Sequence, residues 1–137
     1  MKTNTLNLLI LDDNNLMVGP LSSYLNQRFG ARINISAFFD TDICIKSIDE
    51  NSHVIILDYS SNGQESGTKN GMKNFNSIKK QNPKAEVTMI TSDGDIERVT
   101  EEMKRGTIDY IVKRERYLYD LLFLINRVVV APINKLV

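Results

Sequence analysis

The chain has 137 residues, in which 17 Lys plus Arg balance 17 Asp plus Glu beside a single histidine. That length suits one domain able to bury about two thirds of its unfolded surface. A formal net charge of zero supplies no field to draw the chain onto nucleic acid or an anionic membrane, so direct binding to either is not expected.

The single cysteine, Cys44 in "TDICIKSI", excludes an intramolecular disulfide and a cysteine-only metal cage; it fits a reducing cytosol and reads as a small buried hydrophobe. The apolar run in "MKTNTLNLLILDD" is too short for a signal peptide and is broken by acids. No stretch of about 18 apolar residues is present to span a bilayer. The expected location is the cytoplasm.

Short runs rich in Ile, Leu and Val alternate with longer segments of helical period, the pattern of a parallel sheet with crossover helices. Strands are predicted at 6–12 (LNLLILD), 32–39 (RINISAFF), 53–59 (HVIILDY), 86–92 (EVTMITS) and 108–113 (IDYIVK). The third and fifth carry few polar residues, as expected where helices cover both faces.

Between the first two strands, "NNLMVGPLSSYLNQRFG" sets Met17, Leu21, Tyr24, Leu25 and Phe29 on one stripe, with Gly30 as the stop. "TDICIKSIDEN" reads as a short second helix capped by Thr41. After the third strand, "YSSNGQESGTKNG" is polar and glycine-rich and reads as a mobile surface loop. The third helix, "GMKNFNSIKKQNP", aligns Met72, Phe75 and Ile78 or Lys79 and ends at Asn82, because the residue before proline is pushed out of the α region. A fourth, "DIERVTEEMKRG", has a narrow stripe of Ile96, Val99 and Met103 closed by Gly106.

In the last segment, "ERYLYDLLFLINRVVV", Leu118, Leu121, Leu122, Ile125 and Val129 form a core stripe, while Tyr119, Phe123, Leu124 and Val130 lie on other faces. Those extra groups suit either a flank covered by neighbouring elements or a surface for a partner. Residues 1–131 make one domain in this reading, and 132–137 a C-terminal tail or the start of a linker. Right-handed β-α crossovers then give an α/β fold, a doubly wound five-stranded parallel sheet of order 2-1-3-4-5, flavodoxin-like, with helices on both faces.

In such a sheet the carboxyl ends of all strands share one edge, where ligands bind. That edge collects Asp12 and Asp13 after the first strand, Asp58 after the third, Thr91 and Ser92 after the fourth and Lys113 after the fifth. Singly, each has a bland explanation as a helix cap, a turn former, a strand end or a solvated lysine. Jointly, three carboxylates at one rim repel one another unless a cation compensates. With no histidine or cysteine beside them, a hard cation such as Mg²⁺ fits. About −3 from the acids, +2 from the metal and +1 from Lys113 leaves the filled site close to neutral.

This constellation suits phosphoryl transfer to a carboxylate. Asp58 is the candidate nucleophile, Asp12 and Asp13 the candidate metal ligands, and Thr91 and Lys113 the donors to phosphoryl oxygens. His53, at the opposite end of the third strand, reads as structural.

At this point the sequence resembles a response-regulator receiver domain of two-component signalling, similar to the single-domain chemotaxis regulators. The resemblance runs from about residue 6 to 130 on "LILDD", "VIILD", "VTMITS" and "DYIVK", which fall in the family's order. It implies that Asp58 takes a phosphoryl group from a phosphohistidine on a sensor histidine kinase or phosphotransfer protein. It further implies Mg²⁺ bound by Asp13, Asp58 and the backbone carbonyl of Ser60, with Asp12 acting through metal-bound water. Thr91 and Tyr110 take the positions of the switch hydroxyl and switch aromatic. Phosphorylation would then shift the surface made by the fourth helix, the fifth strand and the final helix. An output domain or protein target would read that surface, or a second copy would pair through it. The only catalysis implied is the domain's own Mg²⁺-dependent phosphorylation and dephosphorylation.

Three departures stand out. Arg114 replaces the proline that usually follows the lysine, and a cis bond before a non-proline residue costs about 2.5–4 kcal/mol. The stretch from Asp58 to Gly71 exceeds the family spacing, placing extra loop where it can gate access or select the kinase. Asp93 adds another acid near the rim, by default a helix cap.

The rival reading is a receiver-like interaction module that is not phosphorylated. An aspartyl-phosphate hydrolase would want an acid two residues after the nucleophile, where Ser60 stands. A flavin site would need a phosphate loop where "DDNNL" carries two acids.

Overall fold

The computed structural model describes residues 5–12, 18–58, 67–91, 109–112 and 117–135, with the backbone alone at 58, 67–72, 91, 109–112, 117–118, 121, 124 and 132–135. Five strands, β1 (Leu6–Leu11), β2 (Ile33–Phe38), β3 (Val54–Asp58), β4 (Glu86–Thr91) and β5 (Asp109–Val112), form one sheet of order β2-β1-β3-β4-β5. Every pairing is parallel. Each predicted strand is present, with ends that differ by no more than one residue.

The two-residue period of the strands splits the core into two layers. Leu8, Ile10, Val54 and Ile56 pack with Leu21, Leu25 and Phe29 of α1 (Val18–Phe29) and with Ile125 and Val129 of the C-terminal helix (Tyr117–Lys135). Leu9, Leu11, Ile55 and Leu57 pack on the other side with Cys44 of α2 (Thr41–Ser47) and Ile78 of α3 (Gly67–Gln81). Ile55, Ile56 and Leu57 are wholly buried, which is why the third strand reads as an unbroken apolar run.

Local chemistry sets the helix ends. Gly30 stops α1 at φ 56 and opens a single 3-10 turn, Gly30–Arg32; an added Cβ would meet nothing there, so the need for glycine is dihedral, not spatial. The cap of α2 is Asp40, not Thr41: Asp40 holds the extended cap conformation and its Oδ1 accepts from the Ile43 N–H at 3.0 Å, while Thr41 is already helical. Burial pushes the Cys44 thiol up to about 12, which keeps it protonated and inert.

Helix α3 begins at Gly67, so residues 67–71 of the expected loop belong to a helix. The glycine and polar content that signals a turn describes the first turn of α3 equally well. The C-terminal helix buries Ile125, Val128 and Val129, half-buries Leu122 and Val130, and runs through Pro132 to Lys135. The predicted fourth helix at 95–106 and Met17 lie outside the described residues. None of the described helices is long and apolar enough to cross a membrane.

Side-chain hydrogen bonds close the amino edge of the sheet. Buried Asn82, just past α3, donates through Nδ2 to the carbonyls of Asp49 (3.0 Å) and Ser52 (2.8 Å), and its Oδ1 accepts from the Lys84 N–H at 3.1 Å. His53 Nδ1 accepts from the Asn7 N–H at 2.9 Å, while His53 N–H donates to the Asn7 carbonyl at 3.0 Å. The histidine thus replaces a ladder bond where β1 meets the start of β3. Burial lowers its pKa below the usual 6.5, opposed by the charge of Asp49.

Two outcomes follow from these bonds. Asn82→Ala removes the side-chain partners of the Ser52 carbonyl and the Lys84 N–H and leaves the Asp49 carbonyl with the Ser52 N–H alone, and should cost about 1–3 kcal/mol in chemical denaturation. Because protonation of His53 removes the acceptor for the Asn7 N–H, its contribution is complete above pH 6.5 and declines as pH falls toward its lowered folded-state pKa. Denaturation midpoints followed from neutral pH to about 5 should fall, and His53→Gln should flatten that part of the profile.

Candidate phosphoryl-acceptor site

Register builds the site. Leu11 pairs with Leu57, so Asp12 and Asp58 stand one step further along neighbouring strands. Asp58 pairs with Ile90, and Thr91 pairs with Val112. At about 4.8 Å between strands, the ends of β1, β3, β4 and β5 form a continuous rim carrying Asp12, Asp58 and Thr91. Asp13, Ser60 and Lys113, the remaining predicted site residues, lie outside the described residues, as do Arg114 and Asp93.

Asp12 is the member of the rim whose side chain is described, and it is wholly buried. Its backbone N–H donates to the Phe38 carbonyl at 3.0 Å, tying the end of β1 to the end of β2. A pattern of residue types carries no sign of that anchor, since it is a bond of one main chain to another.

By register, Asp58 stands two residues past Ile56 on β3 and pairs with Ile90, while Thr91 stands two residues past Met89 on β4, and Met89 pairs with Tyr110 of β5.

The donor chemistry fits a hard cation. A buried carboxylate at Asp12, with a second acid at the end of the neighbouring strand, supplies the oxygen donors that hard cations take. Cys44 lies within the α2 layer and His53 at the amino edge, so neither soft nor imidazole ligands compete at this rim.

In the C-terminal helix, Tyr119 and Phe123 are 70% and 74% exposed. They lie four residues apart on one helix face, the surplus of apolar groups expected there.

Comparison with known proteins agrees with this geometry. Residues 8–121 match the model of the response regulator receiver domain, and the chain belongs to that family. A search of curated proteins gave no match. Among solved structures, the receiver domain of NtrX from Brucella abortus is 26% identical over 88% of this chain and 94% of its own, with a TM-score of 0.65. The BeF3-activated DrrB receiver domain is 22% identical over 91% and 97%, with a TM-score of 0.66. An adenylate cyclase from Rhodopirellula baltica is 20% identical over 96% and 90%, with a TM-score of 0.70. The last two share the fold.

If Asp12 helps to hold a divalent ion, Mg²⁺ titration should raise the thermal midpoint of the protein, and Asp12→Asn should weaken the apparent Mg²⁺ affinity by about tenfold or more. An affinity unchanged by that substitution removes Asp12 from the site.

Proposed function

We propose that this receiver domain accepts a phosphoryl group on Asp58 from a phosphohistidine of a sensor histidine kinase or phosphotransfer protein, and that the resulting charge resets its surface. The observation that carries this reading is the register that brings Asp12, Asp58 and Thr91 to one rim of a sheet belonging to the receiver family. Lys113 follows directly on β5, whose last residue, Val112, pairs with Thr91.

In the forward step an Asp58 carboxylate oxygen attacks phosphorus, a P–O bond forms and the P–N bond breaks. The electron pair stays on the departing imidazole nitrogen, which then takes a proton. Asp12, Asp13, Asp58 and the Ser60 carbonyl would hold Mg²⁺, whose chemistry is to neutralise charge shared by the attacking and phosphoryl oxygens. The Thr91 hydroxyl donates to one phosphoryl oxygen and the Lys113 ammonium neutralises another. Hydrolysis of the acyl phosphate by water returns Asp58 and releases inorganic phosphate, so the domain catalyses only its own gain and loss of the group.

Conversion of a carboxylate to an acyl phosphate adds about one further negative charge. Thr91 turns toward it and vacates space that Tyr110 of β5, the strand paired with β4, fills. The surface running from the segment after β4 across β5 to the C-terminal helix changes population with that move. It presents the state to an output domain or protein target, and to a second copy if the domain pairs through this face. The exposed Tyr119 and Phe123 supply apolar contact on the helix that ends this surface.

Incubation with Mg²⁺ and a small phosphodonor should add the mass of one phosphoryl group. The adduct should vanish in Asp58→Asn and when Mg²⁺ is chelated. Lys113→Ala should cut the rate by about tenfold or more, as expected on losing a preorganised cation. No adduct under any donor would instead support a receiver that works as an unphosphorylated interaction module.

A further inference from the structure

One outer edge of the sheet is β2, and among the described residues its unpaired side carries none of the usual protection. The Asp12 N–H bond to the Phe38 carbonyl sets the phase of the strand: Asn34, Ser36 and Phe38 turn their backbone groups toward β1. Ile35 and Ala37 therefore point theirs outward, and among the described residues nothing bonds them. Native edges are normally blunted by lysine, proline or a bulge. From Ile33 to Phe39 this edge has no charge and no proline, and its register with β1 runs unbroken from Ile33 to Phe38.

We infer that this edge pairs with the same edge of a second copy of the chain, antiparallel, about a twofold axis through Ser36. The phase of the outward groups selects that register. Ile35 of each copy faces Ala37 of the other, and each such pair exchanges both of its backbone bonds, about four bonds in all. Arg32, which ends the 3-10 turn before β2, and Asp40, which caps α2 after it, flank the strand with opposite charge, so the twofold brings an arginine of one copy toward an aspartate of the other at both ends. Phe39, 54% exposed beside the strand, comes opposite Ile33 of the second copy and gains an apolar neighbour. The zero net charge of the chain adds no long-range repulsion between copies.

The contact lies at the opposite edge of the sheet from β5 and does not depend on the charge state of Asp58. Facing Ser36 residues form a non-hydrogen-bonded pair with Cα atoms about 4.5 Å apart, which is within disulfide range, about 4.4–6.8 Å. The native Cys44 is wholly buried and does not compete.

Sedimentation of the full chain at concentrations up to about 100 μM, ample for a weak contact, should show twice the chain mass, with or without beryllium fluoride. Ala37→Pro deletes an outward N–H while leaving every β1–β2 bond, and should return the monomer mass. Ala37→Lys, which places a charge at the seam, should do the same if the proline variant fails to fold. Ser36→Cys should cross-link to a reducible dimer under mild oxidant. A wild-type monomer at these concentrations overturns the inference. So does a dimer that survives substitution of Ala37, or in which Ser36→Cys does not cross-link.

Discussion

Parallel pairing of β1, β3 and β4, covered on both faces, is the constraint on which the rest of this molecule depends. Parallel strands all end in the same direction, so residues separated by dozens of positions, such as Asp12, Asp58 and Thr91, arrive at one rim with spacing set by the ladder. Ile55, Ile56 and Leu57 are wholly buried between two helical layers, so a slip by one residue would turn their side chains to the wrong face. The precision of the functional edge is thus inherited from packing far beneath it.

The two edges crossed by the strand ends are built differently. At the amino edge, polar side chains are consumed by structure: Asn82 closes the turn between α3 and β4, and His53 supplies an acceptor where β1 needs one. At the carboxyl edge an acid, Asp12, is wholly buried, and its main chain ties the end of β1 to the end of β2.

Much of this was legible in the residues alone. The aliphatic runs placed five strands, the 3.6-residue stripes of Leu21, Leu25 and Phe29 and of Ile125 and Val129 placed two helices, and the acids at strand ends placed the candidate site. These are signals of local period and burial, which need no third dimension to be read. Three features were not legible in this way. Asp40 displaced Thr41 as the cap because a backbone dihedral, not a residue type, decides which of two adjacent polar residues stands first. Gly67–Gly71 joined α3 because glycine-rich polar sequence has no preference strong enough to oppose an adjoining helix. The outward phase of β2 was fixed by a single main-chain bond between Asp12 and Phe38, and main-chain bonds leave no mark on composition. Sequence by itself determined which side chains could be buried and which chemistry could collect at an edge; tertiary structure alone decided which strands are neighbours and which of their faces and edges remain open.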